Sequence, residues 1–145
     1  MTTRQLCTFR VADLWFAVNV LHVQEVLRYQ TLTEVPLAPE HIVGLINLRG
    51  QIVTAIDMRR RLGLPDADLE EPPMNVVIKT NDHVVALLVD TIGDVVNIDE
   101  ELFDRPPSTL DEKTQELVEV VCKQERQLLL LLRTDAVSQD LSDAA

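Results

Sequence analysis

The residue types that could carry catalysis or hold a metal are few in this sequence and lie far apart. His22, His41 and His83 stand in three different segments, while Cys7 and Cys122 have neither a CxxC pair nor an HExxH run near them. A zinc site or an activated nucleophile requires such groups in a recognisable spacing. We therefore predict no catalytic residue, no metal and no cofactor, and two buried thiols that belong to the core.

Asp57 is an acidic residue whose setting points to a specific reaction. It ends the apolar run QIVTAID, which is where receiver domains of two-component signalling carry the aspartate that is phosphorylated. A receiver also requires an acidic pair after its first strand and helices of several turns between its strands. Only Asp13 follows the first apolar run, so phosphorylation of Asp57 stands as an alternative that the rest of the pattern disfavours.

Arg49 is a charged residue inside the apolar stretch GLINLRGQIVTAID. The pattern predicts a strand here, in which Leu48 and Gly50 face one side and Arg49 faces the other. Glu25 lies in VQEVL, whose apolar spacing predicts one to two helical turns with this carboxylate at the rim of the core. An ion pair between Glu25 and Arg49 is then expected, either as a functional element or as a surface contact worth about 0–1 kcal/mol.

Composition favours a sheet protein and disfavours two classes of partner. Hydrophobic residues make up 46% of the chain and aromatic residues only 3%, so the core is built from Val, Leu and Ile, which suit a pleated surface. The net charge is −11, and residues 73–145 hold 15 acidic and 6 basic groups. Such a chain repels phosphate backbones and anionic lipids, so we expect no nucleic acid partner. The apolar run Leu128–Leu132 is far shorter than the ~20 residues that cross a bilayer, so we expect no membrane insertion.

Short apolar segments separated by turns predict a mainly β fold. Two hairpins, LCTFRV with LWFAVNV and NVVIK with VVALLV, open the two halves of the chain, and LINLRG, QIVTAID, DVVNI, VEVVCK and QLLLLLR predict further strands. Short helices are expected at MRRRLGL, at DAVSQDL and before VEVVCK, where Ser108 or Thr109 would cap the helix. The acidic segment PDADLEEPP between the halves has the composition of a linker.

These elements predict two small five-stranded β-barrel subdomains around a shared hydrophobic core, with short helices. Almost no long helix separates the strands, which disfavours βαβ units. We place a single domain at residues 5–141, with lobes at roughly 5–70 and 73–137 that are free to exchange strands, and a tail at 142–145.

From about Gln5 to Leu141 the chain resembles the CheW family of chemotaxis coupling proteins. The resemblance rests on VQEVLR after the first hairpin, on the block VPLAPEHIVGLINLRGQIVTAIDMRRRLGL, and on VVALLVDTIGDVV. The motif GxxNLRG, from Gly44 to Gly50, is its most specific part. The positions that depart from the common family residue are Ala17, Thr54, Glu119 and Arg133.

The resemblance implies two five-stranded barrels and a non-enzymatic adaptor of chemotaxis-type signal transduction. Such an adaptor binds the regulatory domain of a CheA-type histidine kinase and the cytoplasmic tip of a methyl-accepting chemoreceptor, in the cytoplasm at receptor arrays. A protein of this fold that binds only the kinase or only the receptor is the alternative. The partner-binding positions that the resemblance implies are Val23, Glu25, Gly44, Asn47, Arg49, Gly50, Val76 and Val95.

Overall fold

The computed structural model describes residues 2–66, 72–80 and 83–138, and every structural statement below concerns these residues. The strands are β1 Thr3–Val11, β2 Leu14–Asn19, β3 Val23–Leu27, β4 Ile42–Leu48, β5 Gln51–Asp57, β6 Met74–Lys79, β7 Val84–Val89, β8 Thr91–Asp99, β9 Phe103–Asp104, β10 Val118–Lys123 and β11 Leu128–Leu132. The helices are α1 Met58–Arg61, α2 Glu112–Leu117 and α3 Thr134–Ser138, with single 3₁₀ turns at Val20–His22 and Glu100–Leu102. The prediction of a mainly β fold with short helices is confirmed.

The strands form two sheets that divide the chain differently from the predicted lobes. The five-stranded sheet has the order β3-β6-β7-β5-β4 and uses the continuous stretch 23–89. The six-stranded sheet has the order β8-β1-β2-β11-β10-β9 and combines both ends of the chain. A boundary near residues 70–73 would cut the five-stranded sheet, so that division is wrong. Neighbouring strands are antiparallel except for the parallel pairs β2–β11 and β5–β7.

Each sheet has apolar residues on both faces. Successive side chains of a strand alternate between these faces, so each strand contributes to both. One face of each sheet contributes to a large cluster shared by the two sheets, in which the Phe9 and Phe16 rings stack with their centroids 5.8 Å apart. The opposite faces form a five-strand cluster around Val53 and Val77 and a six-strand cluster around Leu6 and Leu129. Each sheet therefore surrounds a cluster of its own, and the predicted shared core lies between the sheets.

Strand β3 replaces the helical turn that was predicted for VQEVL. The segment pairs with β6, and its residues alternate between half-buried (Val23, Glu25, Leu27) and exposed (Gln24, Val26). A run this short fits either period, and an isolated helix of one turn gains too few hydrogen bonds to form. Pairing with a buried neighbouring strand decides the conformation instead.

The short helices lie near their predicted places. α1 follows β5 as expected, and the Asp57 carboxylate accepts a hydrogen bond from the backbone N–H of Arg60 in its first turn. α2 begins after Asp111 rather than at Ser108 or Thr109, because residues 107–110 form a turn of their own. α3 confirms a helix at the start of DAVSQDL.

Several predicted features fall outside the described residues. These are the middle of the acidic linker at 67–71, the β6–β7 turn at 81–82, and residues 139–145, with the end of the last helix and the tail. None of the helices in the described ranges has the length and apolar character needed to span a bilayer.

Two of the departures from the family pattern have clear surroundings. Ala17 is completely buried, and its methyl group is part of the six-strand cluster. Glu119 is exposed, and it lies where the β10–β11 register shifts between Val118 and Val120. A carboxylate is accommodated at this bulge because it points to solvent.

Candidate partner-binding site

Arg49 and Gly50 form the two-residue turn between β4 and β5. Leu48 pairs with Gln51 in the hairpin register, and the φ angles of Arg49 and Gly50 are +51° and +89°. Two positive φ angles are the signature of a type I′ turn, whose twist matches that of the flanking strands. The Asn47 side-chain oxygen accepts a hydrogen bond of 2.9 Å from the Gly50 N–H. The prediction that Arg49 is a strand residue is therefore wrong, since it lies at the tip of the hairpin.

The guanidinium of Arg49 forms a hydrogen-bonded ion pair with the carboxylate of Glu25. The Arg49 Nη2 donates to Glu25 Oε2, and the side chains are 75% and 18% exposed respectively. Next to this pair, the Gln24 amide lies 3.5 Å from the side-chain oxygen of Gln51. Because β3 is one end strand of the five-stranded sheet and the turn belongs to the other end, these side chains join its two ends. The predicted pairing of Glu25 with Arg49 is confirmed.

Exposed apolar side chains lie close to the ion pair in sequence, although Val26 points to the opposite face of β3 from Glu25. Ile52, directly after Gln51 in β5, is 61% exposed, and Val26, directly after Glu25, is also exposed. We call Glu25, Asn47, Arg49 and Ile52 the hairpin surface. Ile52 and Val26 were missed by sequence reasoning. The alternation of QIVTAID carries a signal for Ile52, since it is out of phase with the buried Val53.

Gly44 has a structural reason to be glycine. Its φ is +156°, and a Cβ atom built there would lie 2.7 Å from the carbonyl oxygen of Thr33. Thr33 and Leu45 exchange two backbone hydrogen bonds of 2.9 and 2.8 Å, which bring the preceding loop against β4 at this point. The side on which a partner would approach Gly44 is therefore filled by the chain itself.

Two valines of the predicted site differ in their access to a partner. Val76 is completely buried in the shared cluster, so its assignment as a contact residue is corrected, because it has no surface to offer. Val23 is half-buried and packs against the same cluster. Sequence alternation could not reveal this, because both faces of β6 are buried.

Val95 lies apart from the hairpin surface, on the other sheet. It belongs to β8, pairs with Cys7 of β1 and is 54% exposed. Of the predicted residues, Glu25, Asn47, Arg49 and Gly50 therefore lie together at the β4–β5 turn and β3, while Val95 lies separately on β8.

Residues that could have carried chemistry have structural roles. Asp57 caps α1, and its carboxylate lies 4.0 Å from the Arg60 guanidinium. The sheets around it are mainly antiparallel, whereas a receiver domain has a parallel sheet. The alternative that Asp57 is a phosphoacceptor is therefore wrong. Cys7 and Cys122 are buried and free, as predicted, and burial raises the pKa of the Cys7 thiol. Within the described ranges, no group of three or more His, Cys, Asp or Glu side chains is arranged to hold a metal ion.

Asp90 and Arg59 form a buried ion pair that sequence reasoning missed. Asp90 follows β7, and its carboxylate also accepts a hydrogen bond of 2.8 Å from the Ala12 N–H in the β1–β2 turn. Burial raises the pKa of Asp90, but the hydrogen bonds from Arg59 and from Ala12 outweigh it and hold this pKa below its usual value. The pair ties α1 and the first hairpin to the junction of β7 and β8, which is a structural role.

Comparisons with known proteins agree along nearly the whole chain. The family model described as "CheW-like domain" matches residues 5–142. The chain is 29% identical to the probable chemotaxis protein CheW of Rhizobium etli, over 98% of this chain and 92% of that protein. It is 31% identical to the chemotaxis protein CheW of Bacillus subtilis, over 94% of this chain and 87% of that protein.

A solved structure extends the agreement from sequence to fold. The scaffolding protein TtCheW from Thermoanaerobacter tengcongensis superposes with a TM-score of 0.81 and 26% identity, covering 91% of this chain and 90% of that one. With the family model, the curated relatives and the two-sheet fold in agreement, this chain belongs to the CheW-like family.

Proposed function

We propose that this protein is a non-enzymatic adaptor of chemotaxis-type signalling, which binds the regulatory domain of a CheA-type histidine kinase and the cytoplasmic tip of a methyl-accepting chemoreceptor at receptor arrays. Relatives along the whole chain are named as chemotaxis proteins, and a similar structure is named as a scaffolding protein. An adaptor needs exposed contact surfaces, and the hairpin surface and the exposed part of β8 provide two.

The placement of Arg49 is the observation that carries the proposal at residue level. The first position of a type I′ turn favours Asn, Asp or Gly, and a left-handed φ costs other residues about 1–2 kcal/mol. The ion pair with Glu25 stabilises the fold by only about 0–1 kcal/mol, because the arginine is 75% exposed. The turn itself would be at least as stable with asparagine. We infer that arginine is retained there for contacts beyond this chain.

The chemistry of the hairpin surface fits protein recognition. A guanidinium has five N–H donors in a fixed plane, and the contact with Glu25 engages only part of them. The remaining donors are directed by that ion pair and are available to a carboxylate or carbonyl groups of a partner. Ile52, which lies in the strand that follows the turn, adds exposed apolar surface to this region. A typical partner surface of about 800 Å² per side would cover this group completely.

The test is a reconstituted assembly of receptor, CheA-type kinase and this protein, with receptor-controlled kinase activity as the readout. Arg49→Asn removes the guanidinium and suits the turn, so we expect a melting temperature at or above that of the parent protein together with loss of receptor control. Arg105→Asn is the matched control, because Arg105 is an exposed arginine in a loop of the six-stranded sheet. Unchanged receptor control in Arg49→Asn would remove Arg49 from the coupling surface.

A further inference from the structure

A cavity of about 430 Å³ opens on the six-stranded sheet, which is the sheet that does not carry the Glu25–Arg49 pair. It lies on the face of that sheet that forms the cluster around Leu6 and Leu129. Its walls come from β1, β2, β8, β11 and the β10–β11 turn, and they include Thr8, Trp15, Asp94, Val96, Gln127 and Leu129. The floor is apolar, while amide and carboxylate groups stand at the rim. This combination is typical of sites that hold an apolar group in a fixed orientation.

The wall on the β8 side is built around Gly93. A Cβ atom on Gly93 would lie 2.6 Å from Cζ3 of Trp15 and 2.4 Å from the Thr8 hydroxyl oxygen, so only glycine lets the indole pack against this strand. The Thr8 hydroxyl donates a hydrogen bond of 2.6 Å to the Asp94 carbonyl, at the bulge where the β1–β8 register shifts. The half-buried indole is thereby held as one wall of the cavity.

Strand β8 offers a free edge beside this cavity. It is the end strand of its sheet and pairs only with β1 among the strands of the described ranges. Across the cavity, β9 pairs with β10 only at Val121 and Cys122, so it does not reach the β10–β11 turn. The outward N–H and C=O groups of an end strand can pair with an extended segment of another chain. Every second side chain of such a segment would then lie on the cavity side of the sheet.

The charge beside the cavity selects the occupant. Among the residues that line the cavity in the described part of the chain, Asp94 alone is charged, and it is exposed at the rim. We propose that this cavity binds an extended segment of a partner protein that pairs with β8, places one aliphatic side chain against Trp15, and carries Lys or Arg near Asp94. This site is distinct from the hairpin surface and borders Val95, the exposed β8 residue that the proposed function assigns to a partner.

The experiment uses the one tryptophan of the chain as its reporter. The probe is a capped heptapeptide of sequence Thr-Lys-Thr-Leu-Thr-Lys-Thr, whose lysines and leucine share one face of a strand. We expect a saturable shift of Trp15 emission with a dissociation constant below about 1 mM, and amide chemical-shift changes along the first half of β8. A peptide with glutamate in place of lysine should bind at least about fivefold more weakly, and one with glycine in place of leucine should leave the emission unchanged.

Two variants of the protein distinguish binding at this site from general attraction of the peptide to an acidic surface. Asp94→Asn should weaken the lysine peptide about fivefold and flatten the salt dependence of its binding. Glu119→Gln, at an exposed carboxylate elsewhere on the same sheet, should leave both unchanged. The proposal is overturned by an unchanged Trp15 emission, by equal affinity for the glutamate peptide, or by amide shifts that map to β3 and not to β8.

Discussion

The guanidinium of Arg59 and the carboxylate of Asp90 are joined by two hydrogen bonds, of 3.0 Å from Nε and 2.6 Å from Nη2, and the Asp90 side chain is only 5% exposed. A pair with this geometry does little for stability compared with apolar neighbours of similar size, but removing one partner leaves a buried charge. The pair therefore makes the junction of β7 and β8 sensitive to changes at either residue.

Asp90→Asn should lower the free energy of unfolding at neutral pH by about 3–5 kcal/mol. The folded pKa of Asp90 lies below its unfolded value, so the stabilisation is complete above the unfolded pKa and is lost as the pH falls through the folded pKa. The parent protein should therefore lose more stability than Asp90→Asn as the pH falls below about 4. Urea unfolding at several pH values in this range measures how the unfolding free energy of each protein changes with pH. Asp66→Asn, at an exposed carboxylate paired with Arg60, is the control and should leave the neutral-pH stability unchanged.

Exchanging the charges of the hairpin surface tests whether Glu25 and Arg49 act on each other. Glu25→Arg alone places two cations together and should abolish receptor control of the kinase. The double variant with Arg49→Glu restores an opposite-charge pair and should recover part of that control. If the double variant is as inactive as the single one while both fold, the two residues contact separate partners.

The two exposed groups should bind different partners. Arg49→Glu and Val95→Glu alter separate sheets. Each variant should therefore lower the affinity for one of the two partners at least about tenfold and leave the affinity for the other unchanged. Calorimetric titration with the kinase regulatory domain and with the receptor tip gives both affinities for each variant. Failure of the parent protein to bind one of the two would favour the alternative in which it binds only the kinase or only the receptor.

Leu37 should be a site where a polar replacement stabilises the fold. Its φ is +63°, its side chain is fully exposed, and it follows Pro36 in a turn closed by a 3.4 Å bond from the Ala38 N–H to the Val35 carbonyl. Asparagine tolerates this φ better than leucine, so Leu37→Asn should raise the free energy of unfolding by about 0.5–1 kcal/mol. Thermal unfolding checks it against Leu21→Asn, which replaces another exposed leucine without a positive φ and should bring no gain.

Gly44→Ala should destabilise the protein by about 1–3 kcal/mol, because the new methyl group meets the Thr33 carbonyl at 2.7 Å. This result would show that Gly44 is needed for folding rather than for contact with a partner. Any loss of kinase control in Gly44→Ala should then scale with the unfolded fraction measured by chemical denaturation. Loss of control in a fully folded Gly44→Ala would return Gly44 to the binding site.

The sequence predicted the Glu25–Arg49 pair correctly but not the backbone conformation at either of its residues. Glu25 and Arg49 were expected to pair and do so, although neither lies in the predicted element. A five-residue apolar run does not distinguish a helical turn from a strand, and an Arg-Gly turn lacks the asparagine that usually announces a two-residue hairpin. Val76 was assigned to the site from the resemblance, and alternation could not correct that assignment because both faces of β6 are buried.

Lobe boundaries could not be read from the linear order of hairpins. The acidic, proline-bounded segment around residues 65–73 has the composition of a linker, yet the strands on both sides of it belong to one sheet. Sheet membership here depends on pairings between distant segments, such as β1 with β8, and local composition carries no information about those.

The way the five-stranded sheet is inserted within the six-stranded one sets an order of assembly during synthesis. The β1–β2 hairpin leaves the ribosome first, but its neighbours β8 and β11 are encoded some 80 and 110 residues later. At about 5–20 residues per second, the hairpin waits about 4–16 s for β8, while all strands of the other sheet are already available to pair. The five-stranded sheet can therefore acquire its structure before the six-stranded one, and the waiting β1–β2 hairpin is the part that most needs protection from misassociation.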